Sequence, residues 1–287
     1  MISLGISIMG KNKIILFFIC FNKIIPLLPE MDHIIMIIIV KLINLINMKK
    51  IVLLLLTVVF ATGMYAQKHN TLTAKEKKDG WVLLFDGKNM DGWRKCNATG
   101  MPANWSIDEE SMKVSRGAQA GRGQDGDILY SAKKFSSFEL TVDWKIEKEG
   151  NSGIFYSIVE FPGKPIYIAA PEVQVLDNWN AGDNKLANHL AGSLYDMLPA
   201  LPQNAKPANE WNTIVIKVDH GKVTHVQNGE LVCQYELWTP EWDAMVAKSK
   251  FRTWPEFVAG IAKEGYIGLQ DHGYSCWFRN IKIRELK

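Results

Sequence analysis

The sequence predicts an all-β sandwich of antiparallel sheets carrying a short helical insertion. About a dozen short apolar segments, separated by Gly, Asn, Asp or Pro, fill the chain after Lys78. Phe138 to Ile146 alternates strictly: Leu140, Val142, Trp144 and Ile146 form an apolar face, and Glu139, Thr141, Asp143 and Lys145 a polar one. Asn228-Gly229 between two such segments is the strongest short-range hairpin signal in the chain.

Thr73-Ala74-Lys75-Glu76 has the spacing of a capping box, so a short helix is expected to run to Lys78 and stop at Asp79-Gly80. Strands are then expected at Trp81–Phe85, Trp105–Ile107, Ser111–Val114, Ile128–Tyr130, Phe138–Ile146, Gly153–Val159 and Glu172–Leu176. Trp211–Val218, Lys222–Gln227, Leu231–Tyr235, Tyr266–Gln270 and Trp277–Ile283 complete the set. Thr239 followed by Pro240 makes an N-cap and first-turn pair, which places a helix from Glu241 to about Lys250. No repeat, low-complexity tract or linker divides residues 67–287, so one domain is expected there.

The 287 residues carry a formal charge of +3, but its distribution is uneven. Residues 1–66 hold six Lys and two acidic side chains, leaving 27 basic against 28 acidic in the remainder. That balance argues against a nucleic-acid partner. Met48 to Ala66 has two lysines, an uncharged apolar run from Ile51 to Ala61, and then small residues. This is the layout of a secretory signal, with cleavage expected after Ala66. The run is too short for a bilayer, which needs ~20 apolar residues. The predicted product is therefore secreted or periplasmic, with no stable membrane association after cleavage. Because a complete signal starts at Met48, the expected true start is Met48, with residues 1–47 a leader rather than a domain; the competing reading is a membrane-anchored protein with a long hydrophobic N-terminus. Cys96, Cys233 and Cys276 are odd in number and form no CxxC pair, as expected of small buried hydrophobes.

Three polar groupings stand out on this β background. In Pro171-Glu172-Val173-Gln174-Val175-Leu176-Asp177, Glu172 and Gln174 share one strand face and Val173 and Val175 the other. An acid and an amide at alternate positions suit a sugar-binding face, but Gln174 stands where ordinary two-carboxylate glycoside hydrolysis would want a second acid. Gly268-Leu269-Gln270-Asp271-His272-Gly273 puts Gln270 and His272 on the face of the small Gly268, which is expected to leave room for a ligand; His is also the commonest proton shuttle near neutrality. Gly192-Ser193-Leu194-Tyr195-Asp196 adds a phenol and a carboxylate after a polar loop containing His189. Loops bearing Asp, Glu and His suit a divalent ion such as calcium, but no EF-hand or HExxH spacing is present and no metal is assigned.

These residues carry a resemblance. Leu84-Phe85-Asp86-Gly87-Lys88 with Gly92-Trp93, Gly150-Asn151-Ser152-Gly153-Ile154, Pro171-Glu172-Val173-Gln174, Glu210-Trp211-Asn212, and Gly268 to Gly273 with Phe278-Arg279-Asn280-Ile281 are together similar to the 3-keto-disaccharide hydrolase family, over about residues 79–286. The resemblance implies a concanavalin A-like jelly-roll β-sandwich and a secreted enzyme whose substrate has a glucose ring oxidised at C3 by a separate oxidoreductase. A C3 ketone acidifies the hydrogen on C2, so the aglycone can leave by elimination and water can add to the enone. Such a site needs a base, donors for the enolate oxygen and an acid. On this chain the resemblance implies Glu172 or His272 as base, the other being acid or anchor, with Lys145 and Gln270 stabilising the enolate. It also implies Gln174, Tyr195, Asp177 and Asn151 as substrate-binding residues. The alternative is a non-catalytic carbohydrate-binding module, which would tolerate loss of Glu172 and His272.

Overall fold

The computed structural model describes residues 68–117 and 126–287, together with Lys41, Asn44 and Ile46. The expected leader and signal lie outside these residues apart from those three. The chain divides into two compact units, Met1–Gln67 and Lys68–Lys287. Every element below belongs to the second.

Helix α1 (Ala74–Lys78) opens it with the expected capping box: the Thr73 hydroxyl accepts from the Glu76 amide, and the Glu76 carboxylate accepts from the Thr73 amide. The strands are β1 (Val82–Leu83), β2 (Trp93–Lys95), β3 (Trp105–Asp108), β4 (Ser111–Val114), β5 (Ile128–Phe135), β6 (Phe138–Ile146) and β7 (Asn151–Ile158). They continue with β8 (Glu172–Leu176), β9 (Asn212–Asp219), β10 (Lys222–Gln227), β11 (Glu230–Glu236), β12 (Gly265–Leu269) and β13 (Cys276–Glu285). Four of them, β4, β6, β8 and β10, have the boundaries expected from the sequence. Strand β2 was not expected: three residues amid turn-forming Asp, Gly and Asn carry no periodicity, and only pairing with β5, Trp93 opposite Tyr130, makes them a strand.

The strands form two antiparallel sheets, the predicted sandwich. One has the order β11-β10-β9-β6-β13-β4-β3, with β1 also on β13; the other has the order β2-β5-β12-β7-β8. Asn228 and Gly229 both have positive φ (49° and 87°) and close the β10–β11 hairpin in the manner their sequence demands. Strand β6 buries Leu140, Val142, Trp144 and Ile146 between the sheets, each worth roughly 1.5–3 kcal/mol, while Glu139, Thr141, Asp143 and Lys145 face outward. Opposing them from the smaller sheet are Ile154, Tyr156, Val173, Val175, Ile267 and Leu269.

The smaller sheet departs from a half-exposed surface. Strands β7 and β8 are buried at every position. A second apolar cluster of Cys96, Leu129, Phe155, Ile158, Ile166 and Ala170 lies apart from the main core, with Tyr167 and Tyr266 packed against it. Gly268 belongs here: a Cβ on it would lie 2.5 Å from Ile166 Cδ1 and 2.6 Å from Ile158 Cδ1. The space it leaves is therefore filled by isoleucine, not open to a ligand as the sequence suggested.

The helical insertion begins at Thr239, whose hydroxyl accepts from the Trp242 amide, and α2 (Pro240–Lys248) follows. It then continues beyond expectation through a 3-10 turn at Lys250–Thr253 into α3 (Pro255–Val258). Ser249 restarts the chain by accepting from the Phe251 amide. Trp242, Phe251 and Phe257 anchor the insertion in the core, the last two stacked at 4.3 Å. Cys96, Cys233 and Cys276 are free and buried, as expected.

Candidate active site

A cavity of about 190 Å³ is lined by Asn151, Tyr167, Glu172, Tyr195, Lys250, Phe251, Trp254, Gln270 and His272. Each wall has a distinct origin. Strand alternation turns Val173 and Val175 into the core and Glu172 to the opposite face of β8. Residues 192–195 run antiparallel along the free edge of β8, where the Tyr195 amide donates to the Glu172 carbonyl at 3.0 Å and the Gln174 amide to the Ser193 carbonyl at 3.1 Å. This pairing brings the Tyr195 phenol beside Glu172. The chain leaving β12 is pinned by the Gln270 amide donating to the Gly153 carbonyl at 2.9 Å, which delivers Gln270 and His272. Gly153 itself must lack a side chain, because a Cβ there would lie 2.3 Å from Glu172 Oε1.

The opposite wall comes from the insertion. The Lys250 amide donates to Asp196 Oδ2 at 2.5 Å. The Lys250 ammonium lies 4.1 Å from the centre of the Tyr195 ring and 5.8 Å from that of Trp254. It forms no ion pair among the described residues. Tyr167 and Trp254 pack at 5.5 Å and give the cavity an aromatic side. Behind Tyr195 is a hydrogen-bond chain: its hydroxyl donates to Asp183 Oδ2 at 2.8 Å, His189 Nδ1 meets Asp183 Oδ1 at 2.7 Å, and His189 Nε2 meets Asp196 Oδ1 at 2.9 Å.

Burial sets the protonation of these groups. Glu172 is 7% exposed and accepts no side-chain hydrogen bond among the described residues. Desolvation pushes its carboxyl up to about 8, against a downward pull from Lys250 and with further upward pressure from Asp127 and Asp183. Burial holds the His272 imidazole below its ordinary value, and His272 Nδ1 has no partner among the described residues. Burial, then Asp183, raises the Tyr195 phenol. Near neutral pH burial thus favours a protonated carboxyl and a neutral imidazole, the reverse of the ordinary order of the two groups.

Of the residues singled out in the sequence, Glu172, His272, Tyr195, Gln270 and Asn151 meet in this cavity. Three do not line it. Lys145 sits on the outward face of the larger sheet, its ammonium 4.7 Å from the Trp277 ring and 5.1 Å from the Trp211 ring. Asp177 staples a loop, accepting from the amides of Glu149 and Trp179 and from the Asn180 side chain. Gln174 is 1% exposed, and both its amide atoms lack hydrogen-bond partners among the described residues. Sequence reasoning missed Lys250, Phe251, Trp254 and Tyr167. The only available signal was the cationic-aromatic run Lys250-Phe251-Arg252-Thr253-Trp254 at the end of the expected helix.

Comparison with known proteins agrees with this architecture. A curated relative from Bacteroides thetaiotaomicron, a 3-keto-disaccharide hydrolase, is 43% identical over 251 residues, covering 80% of this chain and 86% of the relative. The crystal structure of an inferred glycosyl hydrolase from Parabacteroides distasonis superposes with a TM-score of 0.69 at 29% identity, covering 77% of this chain and all of that one. A second from the same organism gives 0.56 at 26% identity, covering 72% of this chain and 99% of the other. The family model described as the 3-keto-alpha-glucoside-1,2-lyase-like domain matches residues 80–284, and the chain belongs to that family.

Proposed function

We propose that the protein is a carbohydrate-active enzyme that cleaves the glycosidic bond of sugars oxidised at C3, by elimination across C1–C2 followed by hydration. The observation that carries this reading is one cavity lined by a buried carboxyl, an imidazole and a lysine ammonium, in which burial pushes Glu172 up to about 8 and holds His272 below its ordinary value. Neutral His272 takes the C2 proton, and the C–H electron pair becomes the enolate of the C3 ketone. Collapse of the enolate forms the C1–C2 double bond and expels the aglycone oxygen, which takes its proton from Glu172. Water adding at C1, with a proton returning to C2, gives the free keto sugar.

This assigns Glu172 as acid and His272 as base, a choice the sequence had left open. Lys250, donor-only and close to the cavity's polar wall, replaces Lys145 as the group that stabilises the developing enolate oxygen. Stacking on Trp254 and Tyr167 would hold the apolar face of the sugar ring. A hydride-removing oxidation at C3 must supply the substrate, and the signal-like segment at 48–66 supports action outside the cytoplasm.

Mass spectrometry of products from a 3-keto-disaccharide and its unoxidised parent, run in H₂O and D₂O, tests the reading. Release of the keto monosaccharide from the oxidised sugar alone, with deuterium at C2, is expected. Cleavage of both sugars alike, or binding without turnover, would overturn it in favour of ordinary glycoside hydrolysis or a binding module.

A further inference from the structure

We propose that Tyr195 is an acceptor-only contact, and that it selects substrates presenting a hydroxyl donor beside the keto oxygen. This rests on the catalytic reading above but makes a separate statement about specificity. A phenol has one proton. That of Tyr195 is committed at 2.8 Å to Asp183 Oδ2, a residue that does not line the cavity. Asp183 cannot turn away easily, because its other oxygen is engaged by His189 Nδ1 at 2.7 Å and His189 is in turn held at Nε2 by Asp196. Toward the cavity the Tyr195 oxygen therefore offers lone pairs alone.

Its neighbour has the reverse character. The Lys250 ammonium, 4.1 Å from the Tyr195 ring centre, can only donate. A ligand spanning the two must place an acceptor oxygen against Lys250 and an O–H against Tyr195. A ketone flanked by a hydroxyl meets that demand. The ketone is flanked by hydroxyls on both C2 and C4; because the base must reach the hydrogen on C2, the hydroxyl assigned to Tyr195 is the one on C4. A neutral sugar carrying hydroxyls but no ketone can pair with both groups, but it offers Lys250 no oxygen on which negative charge develops.

Fluorine accepts but does not donate, so a 4-deoxy-4-fluoro 3-keto-glycoside separates the two roles. Relative to the parent keto sugar, its kcat/KM and its affinity should fall by about 10- to 100-fold, the cost of leaving a buried acceptor unpaired. In Tyr195→Phe the parent should weaken and the ratio between the two sugars should shrink by at least tenfold. That double difference also cancels the electronic effect of fluorine on the ring. Asp183→Asn gives an opposite signature. With the His189 proton on Nδ1, the Asn oxygen accepts it, the NH₂ faces the phenol, and the Tyr195 O–H is released into the cavity. The fluoro sugar should then gain on the parent.

A ratio unchanged in Tyr195→Phe, or in Asp183→Asn should the first variant fail to fold, would overturn the proposal. Calorimetric dissociation constants for the same two sugars keep it distinct from the catalytic reading. Discrimination in binding without turnover would refute the elimination and leave the acceptor role standing. Turnover without discrimination would do the reverse.

Discussion

Replacing Glu172 by Gln removes a carboxyl that the fold holds away from water, so it should make the protein more stable in a pH-dependent way. The carboxyl titrates at about 8 in the folded chain against an ordinary value of 4.5. A group whose folded pKa is raised contributes fully below the unfolded value, and that contribution is lost as pH climbs through the folded one. Here the window is 4.5 to about 8. Within it the unfolded chain releases a proton that the native state keeps, so unfolding becomes easier at ~1.4 kcal/mol per pH unit. Measured against wild type, Glu172→Gln should therefore be nearly neutral at pH 5, with a difference under about 1 kcal/mol, and more stable by about 3 kcal/mol at pH 7. Urea denaturation of both proteins at four pH values from 5 to 8, with midpoints and slopes compared, reads the difference directly. The same variant should lose ~10²-fold or more in kcat, since an amide cannot protonate the leaving oxygen. Parallel stability profiles would mean that Glu172 is solvated and ionised at neutral pH, and its role as the acid would fall with that result.

The pH dependence of kcat/KM should be bell-shaped, the alkaline limb falling near pH 8 as Glu172 ionises and the acid limb below His272's ordinary 6.5 as the imidazole protonates; Glu172→Gln should abolish the alkaline limb. Gly153→Ala should leave circular dichroism unchanged and depress turnover, because its Cβ would claim space 2.3 Å from Glu172 Oε1 and displace the carboxyl. Lys250→Met should cost ~10²-fold or more in kcat as the loss of one preorganised donor, while Lys145→Met, remote on the other sheet, should cost no more than a few-fold. Steady-state kinetics on the keto sugar distinguishes the two lysines, and equal losses would return Lys145 to the site.

Local rules acting over a few residues decided much of this protein. Alternation over Phe138–Ile146 identified which four side chains enter the core. Thr73 and Glu76 specified a helix start, Asn228-Gly229 a hairpin, and Pro171–Asp177 placed Glu172 on the face opposite the core valines. These patterns were readable because their partners lie within one turn of helix or one pleat of strand. Tyr195, Gln270 and His272 could be proposed from their polar surroundings, but what joins them to Glu172 is backbone pairing of β8 with residues 192–195 and of Gln270 with Gly153. Such edges carry no sequence period.

Tertiary structure alone decided the rest. Lys145 and Lys250 are both cations near aromatic residues in the sequence, yet one projects from the outward face of the larger sheet and the other, tethered through its amide to Asp196, closes the cavity. Gly268 looked like room for a ligand until Ile158 and Ile166 occupied it. The assignment of acid and base depended equally on packing. The pKa of a carboxyl or an imidazole follows the water it loses and the charges it meets, and both are set by chain segments distant in sequence. Residue identity supplied the chemistry, and the burial that only the folded chain produces determined which group holds the proton.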